Sequence, residues 1–320
     1  MAYRADDLID RRRLRRKLTF WRALFVIAIA LGFTALGLWL RNDGPGTGPH
    51  IAKVKIEGTI TVDDKLLERL NDIRQSPRVA ALIVQINSPG GTTTGGESIY
   101  EAIRKIAAKK PVVAQVDTLA ASAGYMIAAA ADHIVARQSS IVGSIGVLMQ
   151  YPDMSGLMDK IGIKLEEIKS SPLKAAPSPF KPTNESERAM IRALIMDSYD
   201  WFVDLVTERR AMPRQQVLAL ADGSIFTGRQ GLENHLVDAL GGEEEAVAWL
   251  ENQGIAADLK VIEWKPPEGA RSLLWSKALG RMVARFLGLP EQNSDLIHEI
   301  GRETGMERLF LDGLVSQWHP

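Results

Sequence analysis

The sequence predicts an α/β fold with a mostly parallel sheet, preceded by one N-terminal transmembrane helix. Three observations carry this. Between Ile51 and Trp264, short apolar runs alternate with stretches of helical periodicity. The run VAALIVQI, Val79–Ile86, is almost continuously apolar and rich in β-branched residues, the pattern of a strand buried on both faces. Ahead of these, Ala23–Leu40 is an uncharged stretch of 18 residues, close to the ~20 that a bilayer-spanning helix needs.

The elements follow in order. Residues 1–22 are basic, with Arg4, Arg11, Arg12, Arg13, Arg15, Arg16 and Lys17 ahead of Arg22. By the positive-inside rule this end stays in the cytoplasm and the rest of the chain lies on the outer side of the membrane. Trp21 and Trp39 suit the two interfaces. A cleavable signal peptide is the competing reading, but its apolar region usually spans only ~7–15 residues. Residues 41–50, RNDGPGTGPH, read as a Gly/Pro-rich linker.

The segment IAKVKIEG alternates with period two, as a strand does, and DDKLLERLNDIRQ has helical spacing. After the buried strand come a helix in GGESIYEAIRKIAAKK, a strand in PVVAQV, a short helix in SAGYMIAAAA and a strand in DHIVAR. A long amphipathic helix follows in TNESERAMIRALIMDSYDWFVDLVTERRAM, with Thr183, Asn184 or Ser186 as its cap. Shorter helices lie in PRQQVLALADG, GRQGLENHLV and GEEEAVAWLENQG, and DLKVIEW reads as the last strand. Residues 265–320 change character. In SLLWSKALGRMVARFLGL, Leu274, Ala278, Met282 and Phe286 share one face, flanked by Lys277, Arg281 and Arg285. Such a helix packs on protein or lies on an anionic bilayer.

Composition removes several function classes. Lys plus Arg and Asp plus Glu stand at 39 each, so no global charge draws the chain to nucleic acid. There is no cysteine, which excludes thiolate catalysis, disulfides and Cys-ligated zinc. No cofactor or metal is expected.

The glycine-rich NSPGGTTTGG, Asn87–Gly96, leaves the buried strand directly. Its spacing approaches a phosphate-binding loop, yet Gly96-Glu97 stands where Lys-Ser/Thr belongs. The other use of Gly90 and Gly91 is to turn backbone N–H groups toward a developing oxyanion. Ser122 follows the next strand, at the same end of the sheet, and opens a short helix. That makes Ser122 the candidate nucleophile and the N–H of Ala123 a second oxyanion donor. The bland alternative is a small residue tolerated where helices pack closely.

A serine nucleophile needs a base. His133 sits in a strand pattern and His235 reads as a helix-surface residue; neither has an identifiable orienting carboxylate. A lysine serves if burial lowers its pKa. Lys174 in SSPLKAAPSPF is flanked by Pro, Leu and Ala, whereas its rival Lys169 follows two glutamates that favour its charge.

Taken together, INSPGGTTTGGESIYEAI, AASAGYMIAAAADHIVA, SSIVGSIGV, IKSSPLKAAPSPF and DGSIFTGRQGLENHLVDALGG resemble bacterial signal peptide peptidase A in its short, single-repeat form, over about Ile51 to Trp264. The resemblance implies a Clp-protease/crotonase-type fold and a serine–lysine endopeptidase domain over residues 51–264. It places Ser122 on the nucleophile, Lys174 on the general base, Ser144 on the serine that orients the lysine, and Gly90 and Gly91 on the oxyanion loop. Two positions depart from common family usage: Ala123-Gly124 stands where Gly-Gly is frequent, and Leu173 where Tyr is frequent. The resemblance further implies a homo-oligomeric ring at the bacterial inner membrane, with serine and lysine contributed by neighbouring protomers. Its substrates would be cleaved signal peptides and similar peptides. Competing readings are a membrane-anchored protease of stomatin-like partners, a catalytically inactive membrane scaffold, and an acyl-CoA hydratase or isomerase of the same fold.

Overall fold

Alternation along the central strands sets the architecture. On β2 (Val79–Ser88), Ala81 and Ile83 pack into one apolar layer while Leu82 and Val84 pack into the opposite one. On β4 (Val112–Ala121), Val113 joins the first layer and Val112, Ala114 and Val116 the second. All are fully or almost fully buried. Each buried Val, Ile or Leu contributes about 1.5–3 kcal/mol from apolar transfer alone. These strands therefore cannot lie at an edge or against solvent.

The computed structural model describes residues 32–34, 48–265 and 315–317. Two units divide the chain, Met1–Pro49 and His50–Pro320, and the sheet belongs to the second. Among the described residues it has eight strands, in the order β7-β6-β4-β2-β1-β9. Here β1 is His50–Glu57, β6 Ile141–Gly143, β7 Ile225–Thr227 and β9 Val261–Glu263. Every pairing along that path is parallel except β6 with β7. β4 has two successive neighbours on one side. Val113–Val116 pair with β5 (His133–Ala136), which in turn pairs with β8 (Ala239–Leu240). Farther along, Leu119–Ala121 pair with β6. The fold is thus mixed α/β with a mostly parallel sheet, as the sequence predicts.

Helices α1 (Asp64–Gln75), α2 (Thr93–Ala107), α3 (Ala123–Ala129) and α5 (Glu185–Arg210) share the larger core. Leu70, Ile103, Ile106 and Phe202 are its fully buried anchors. α8 (Glu243–Asn252) fills the smaller one through Ala246 and Leu250. Asp63 caps α1 by accepting from the N–H groups of Lys65 and Leu66. Of the three predicted caps of α5, Asn184 is the one used, in a capping box with Glu187. Between β6 and α5 the chain forms a long excursion with one short helix, α4 (Ser155–Ile161), that buries no residue. Two short helices, α6 (Arg214–Leu220) and α7 (Gly228–Glu233), flank β7.

Apart from the helical residues 32–34, the predicted membrane segment 23–40 lies outside the described residues, as does the amphipathic segment 272–286. Among the described residues, no helix is long and apolar enough to cross a membrane.

Candidate active site

Register brings the two candidate serines together. Ala121 on β4 pairs with Gly143 on the parallel β6. The next residue of each strand, Ser122 and Ser144, therefore leaves the sheet beside the other. Both have left-handed backbones, with φ of 56° and 51°, a conformation that costs a non-glycine residue about 1–3 kcal/mol. Hydrogen bonds hold them there. The N–H of Ser122 donates to Gly143 O at 2.8 Å, and that of Ser144 to Ser224 O at 2.7 Å. Ser122 is 1% exposed and Ser144 9%. They line one cavity of about 450 Å³, walled by Val147, Leu148, Ile195 and Met196, with Asp222 and Tyr199 also facing it.

The glycine loop is brought toward Ser122 by the same logic, although neither Gly90 nor Gly91 lines that cavity. Ser88 of β2 pairs with Ala120 of β4, so the chains that leave them run side by side. Ser88 Oγ donates to Gly58 O at 2.6 Å and accepts from the N–H of Gly90 at 3.1 Å. Gly90 turns with φ 103°, open to glycine and hostile to other residues. Next comes the short strand β3 (Gly90–Thr92). Ile60 N–H donates to Gly90 O, and Thr92 N–H to Ile60 O, both at 2.8 Å. Alternation then aims the N–H and C=O of Gly91 away from Ile60, at the outer edge of β3. Along that edge runs the chain's own β10 (Val315–Gln317), antiparallel, with Ser316 opposite Gly91.

The alanines after Ser122 have a structural use. Ala123 through Ala129 are all buried. A side chain at Gly124 would stand 2.9 Å from Ser88 O, and one at Gly96 would meet Met126 Sδ at 3.0 Å and Ala123 Cβ at 3.1 Å. Small residues thus let α3 press against α2 and the end of β2, which fixes Ser122 next to the glycine loop. The residues that face open space are the cavity walls, from other segments.

Lys174 lies elsewhere in the single chain. It is exposed, in the excursion between β6 and α5, and it does not line the cavity of Ser122 and Ser144. Its rival Lys169 is engaged with Glu167 Oε2 at 2.8 Å. His133 begins β5, stacks on Trp249 at 4.9 Å and lies 3.8 Å from Asp238; burial holds its pKa below the ordinary imidazole value. His235 is exposed but just past α7 rather than on it, at φ 58°. Tyr125, close behind Ser122, is fully buried and donates to Leu236 O at 2.8 Å; burial pushes its phenol up, so it stays neutral. Among the described residues, no acidic or histidine cluster could hold a metal ion.

Two contributors escaped the sequence reading. The turn Asp222–Ser224 supplies the acceptor for Ser144 and part of the cavity. Ile195, Met196 and Tyr199 on α5 supply another wall. DGSIFTG was legible as a motif, but its contact with Ser144 depends on the antiparallel β6–β7 pair, in which Gly143 faces Ile225.

A buried serine with a strained backbone, near a glycine strand and a largely apolar cavity, is an arrangement compatible with a hydrolase that works through a serine nucleophile. Comparison with known proteins names the family. The model of Peptidase family S49 matches residues 104–256. A candidate protease of Methanocaldococcus jannaschii is 37% identical over 284 residues, covering 83% of this chain and 91% of that protein. A candidate signal peptide peptidase of Enterococcus faecium is 34% identical over 242 residues, 75% of this chain and 69% of the relative. Protease 4 of Haemophilus influenzae is 31% identical over 273 residues, 78% of this chain and 44% of that longer protein. The chain belongs to peptidase family S49 and is a serine endopeptidase.

Proposed function

We propose that this chain is a membrane-anchored endopeptidase that degrades remnant signal peptides and similar peptides, with Ser122 as nucleophile and Lys174 as general base. The observation that carries the reading is the paired exit of Ser122 and Ser144 from adjacent parallel strands into one largely apolar cavity. An apolar cavity suits the side chains of a signal-peptide core. A peptide in extended form would pair its main chain with the outer edge of β3.

The chemistry then follows. A neutral Lys174 amine takes the Ser122 proton as Oγ attacks the scissile carbonyl carbon. Ser144 Oγ orients the amine. The N–H groups of Gly91 and Ala123 stabilise the oxyanion; Gly90, whose N–H is committed to Ser88, shapes the turn. The lysine returns its proton to the leaving amine, and water then hydrolyses the acyl-enzyme. The site needs no cofactor for these steps.

Exposure of Lys174 in the single chain supports a dyad completed between protomers. The excursion that carries it also exposes Leu157, Ile161, Ile163, Leu165, Ile168 and Leu173, an apolar set suited to a second copy of the chain. Burial in such an interface would withdraw the lysine amine from water, the setting its role requires. The fold is read as the Clp-protease/crotonase type, assembled as a homo-oligomeric ring. The apolar segment 23–40 anchors it in the lipid of the inner membrane, with the basic N-terminus cytoplasmic and the peptidase domain on the outer side.

A fluorophosphonate probe on the full chain tests the reading. Covalent labelling should occur, vanish in Ser122→Ala and fall drastically in Lys174→Ala, with the fold and assembly intact. A wild-type chain that never labels would point instead to an inactive membrane scaffold. Full labelling of Lys174→Ala would remove lysine from the mechanism.

A further inference from the structure

The segment that carries Lys174 has little of its own to hold it. From Ile161 to Ala175, every residue but Lys169 is exposed in the single chain. Apolar burial does not set its shape. Its base, however, is closed by a chain of alternating charges. Lys169 Nζ lies 2.8 Å from Glu167 Oε2. Lys181 Nζ lies 3.6 Å from the same Glu167 oxygen and 3.1 Å from Glu187 Oε1. Glu187 is the anchor. Its side chain is 1% exposed, and it is the third residue of α5, where Oε2 accepts from the N–H of Asn184 at 3.3 Å. One carboxylate thus serves two tasks. One oxygen caps a 26-residue helix; the other holds the ammonium that closes residues 167–181 into a loop with Lys174 near its tip.

We propose that Glu187, Lys181 and Glu167, with Lys169 at the far end, are positioning residues that fix the Lys174 loop to the frame of α5 and so set where the general base is presented. The inference rests on the reading of Lys174 as base. Two physical points favour it over a role in stability alone. Exposed ion pairs contribute little to folding, and three of these four groups are partly exposed. Yet a buried carboxylate left without its cation is costly, so Glu187 gives the loop one preferred place to close. Catalysis is far more sensitive than folding to such placement: a displacement of ~1 Å can cost ~100-fold in rate.

Glutamine separates the two tasks of Glu187, because Gln also serves at the third position of a capping box. In the full, assembled chain, Glu187→Gln, Lys181→Gln and Glu167→Gln should each lower kcat on a reporter peptide by about 10–100-fold. KM should change little, and so should melting temperature in Glu187→Gln and Glu167→Gln. Lys181→Gln, which leaves the buried Glu187 carboxylate without its cation, should also melt lower, and Lys181→Arg should retain most of the rate. Unchanged kcat in all three glutamine variants overturns the proposal. So does a loss of kcat that merely follows a loss of melting temperature or assembly. Lys174→Ala distinguishes the levels: if it is fully active, base and positioning fail together; if it is inactive while the glutamine variants keep full rate, only the positioning role fails.

Discussion

At Gly91 the backbone of a neighbour forbids any side chain. A Cβ there would stand 1.9 Å from Ile60 O and 2.5 Å from Ile60 N, both main-chain atoms that other hydrogen bonds already fix. Gly91→Ala should therefore push β3 outward, at a cost of about 1–3 kcal/mol in line with other overpacked sites. If the outward N–H of Gly91 serves the oxyanion, kcat should fall with it. A melting curve beside steady-state kinetics separates the two effects: lost stability with unchanged kcat would show β3 to be structural only. Ser144 presents the complementary case. Its backbone hydrogen bond to Ser224 survives truncation of the side chain, so Ser144→Ala should fold normally. Losing one orienting hydroxyl should slow turnover by roughly 10–1000-fold, within the range of general acid–base effects. Normal turnover would make Ser144 a strand-end serine that holds backbone alone.

Where elements meet, the joint between β5 and α8 carries a titratable group. His133 stacks on Trp249 with the rings 9° apart, and Asp238 accepts from the N–H of Ile134 at 2.7 Å. Burial lowers the His133 pKa; Asp238 raises it and Arg210 lowers it by smaller amounts. A base whose folded pKa is depressed binds fewer protons folded than unfolded. Its stabilising contribution is complete above the ordinary value of 6.5 and is lost as pH falls toward the lowered one. The melting temperature should thus decline from neutral pH into the acid range. His133→Phe, which keeps a ring against Trp249, should show a shallower decline. Equal slopes in the two proteins would remove His133 as a source of acid sensitivity. The helix α5 shows a second property of this scale. Its later half buries Phe202, Val203, Leu205 and Val206, while its earlier half leaves Met190, Leu194 and Met196 exposed. Amphipathic spacing along the whole helix thus serves the core at one end and, through Met196, the cavity at the other.

Across the whole molecule, the feature that bears most directly on turnover is the covering of β3. Its inner edge is taken by Ile60 and its outer edge by Val315–Gln317. An extended substrate that pairs with β3 must displace this strand or bind where it is absent. Three residues of antiparallel pairing form a weak, displaceable contact. Removal of residues 315–320 should therefore lower KM for a short extended peptide without lowering kcat, because it uncovers Gly91, which lies opposite Ser316, and removes no residue of the Ser122 site. Kinetics of the truncated and full chains check this. An unchanged KM would mean that substrate approaches by another route.

The longer strands and helices between Ile51 and Trp264 were legible in the sequence, because burial on two faces demands continuous apolar runs such as VAALIVQI; β6, β7 and the short helix α4 were not. The cap at Asn184, the turn at Gly90 and the candidacy of Ser122 were legible for the same reason: each is a local requirement met by residues close in the chain. Short strands were not. GGT of β3 and AL of β8 are too brief to carry a period, and they form only because a longer neighbour offers an edge. Nor was the company that Ser122 keeps. Ser144, Asp222 and Ser224 reach it through strand register and Met196 through the packing of α5, from segments 22 to 102 residues away. Register is set by how a whole sheet packs, not by any one strand. The alanines around Ser122 show the division most plainly. The sequence by itself determined that the residues there are small; only the tertiary structure decided that α2, α3 and the end of β2 close over them rather than leave room beside Ser122, because close approach of three backbones depends on all three.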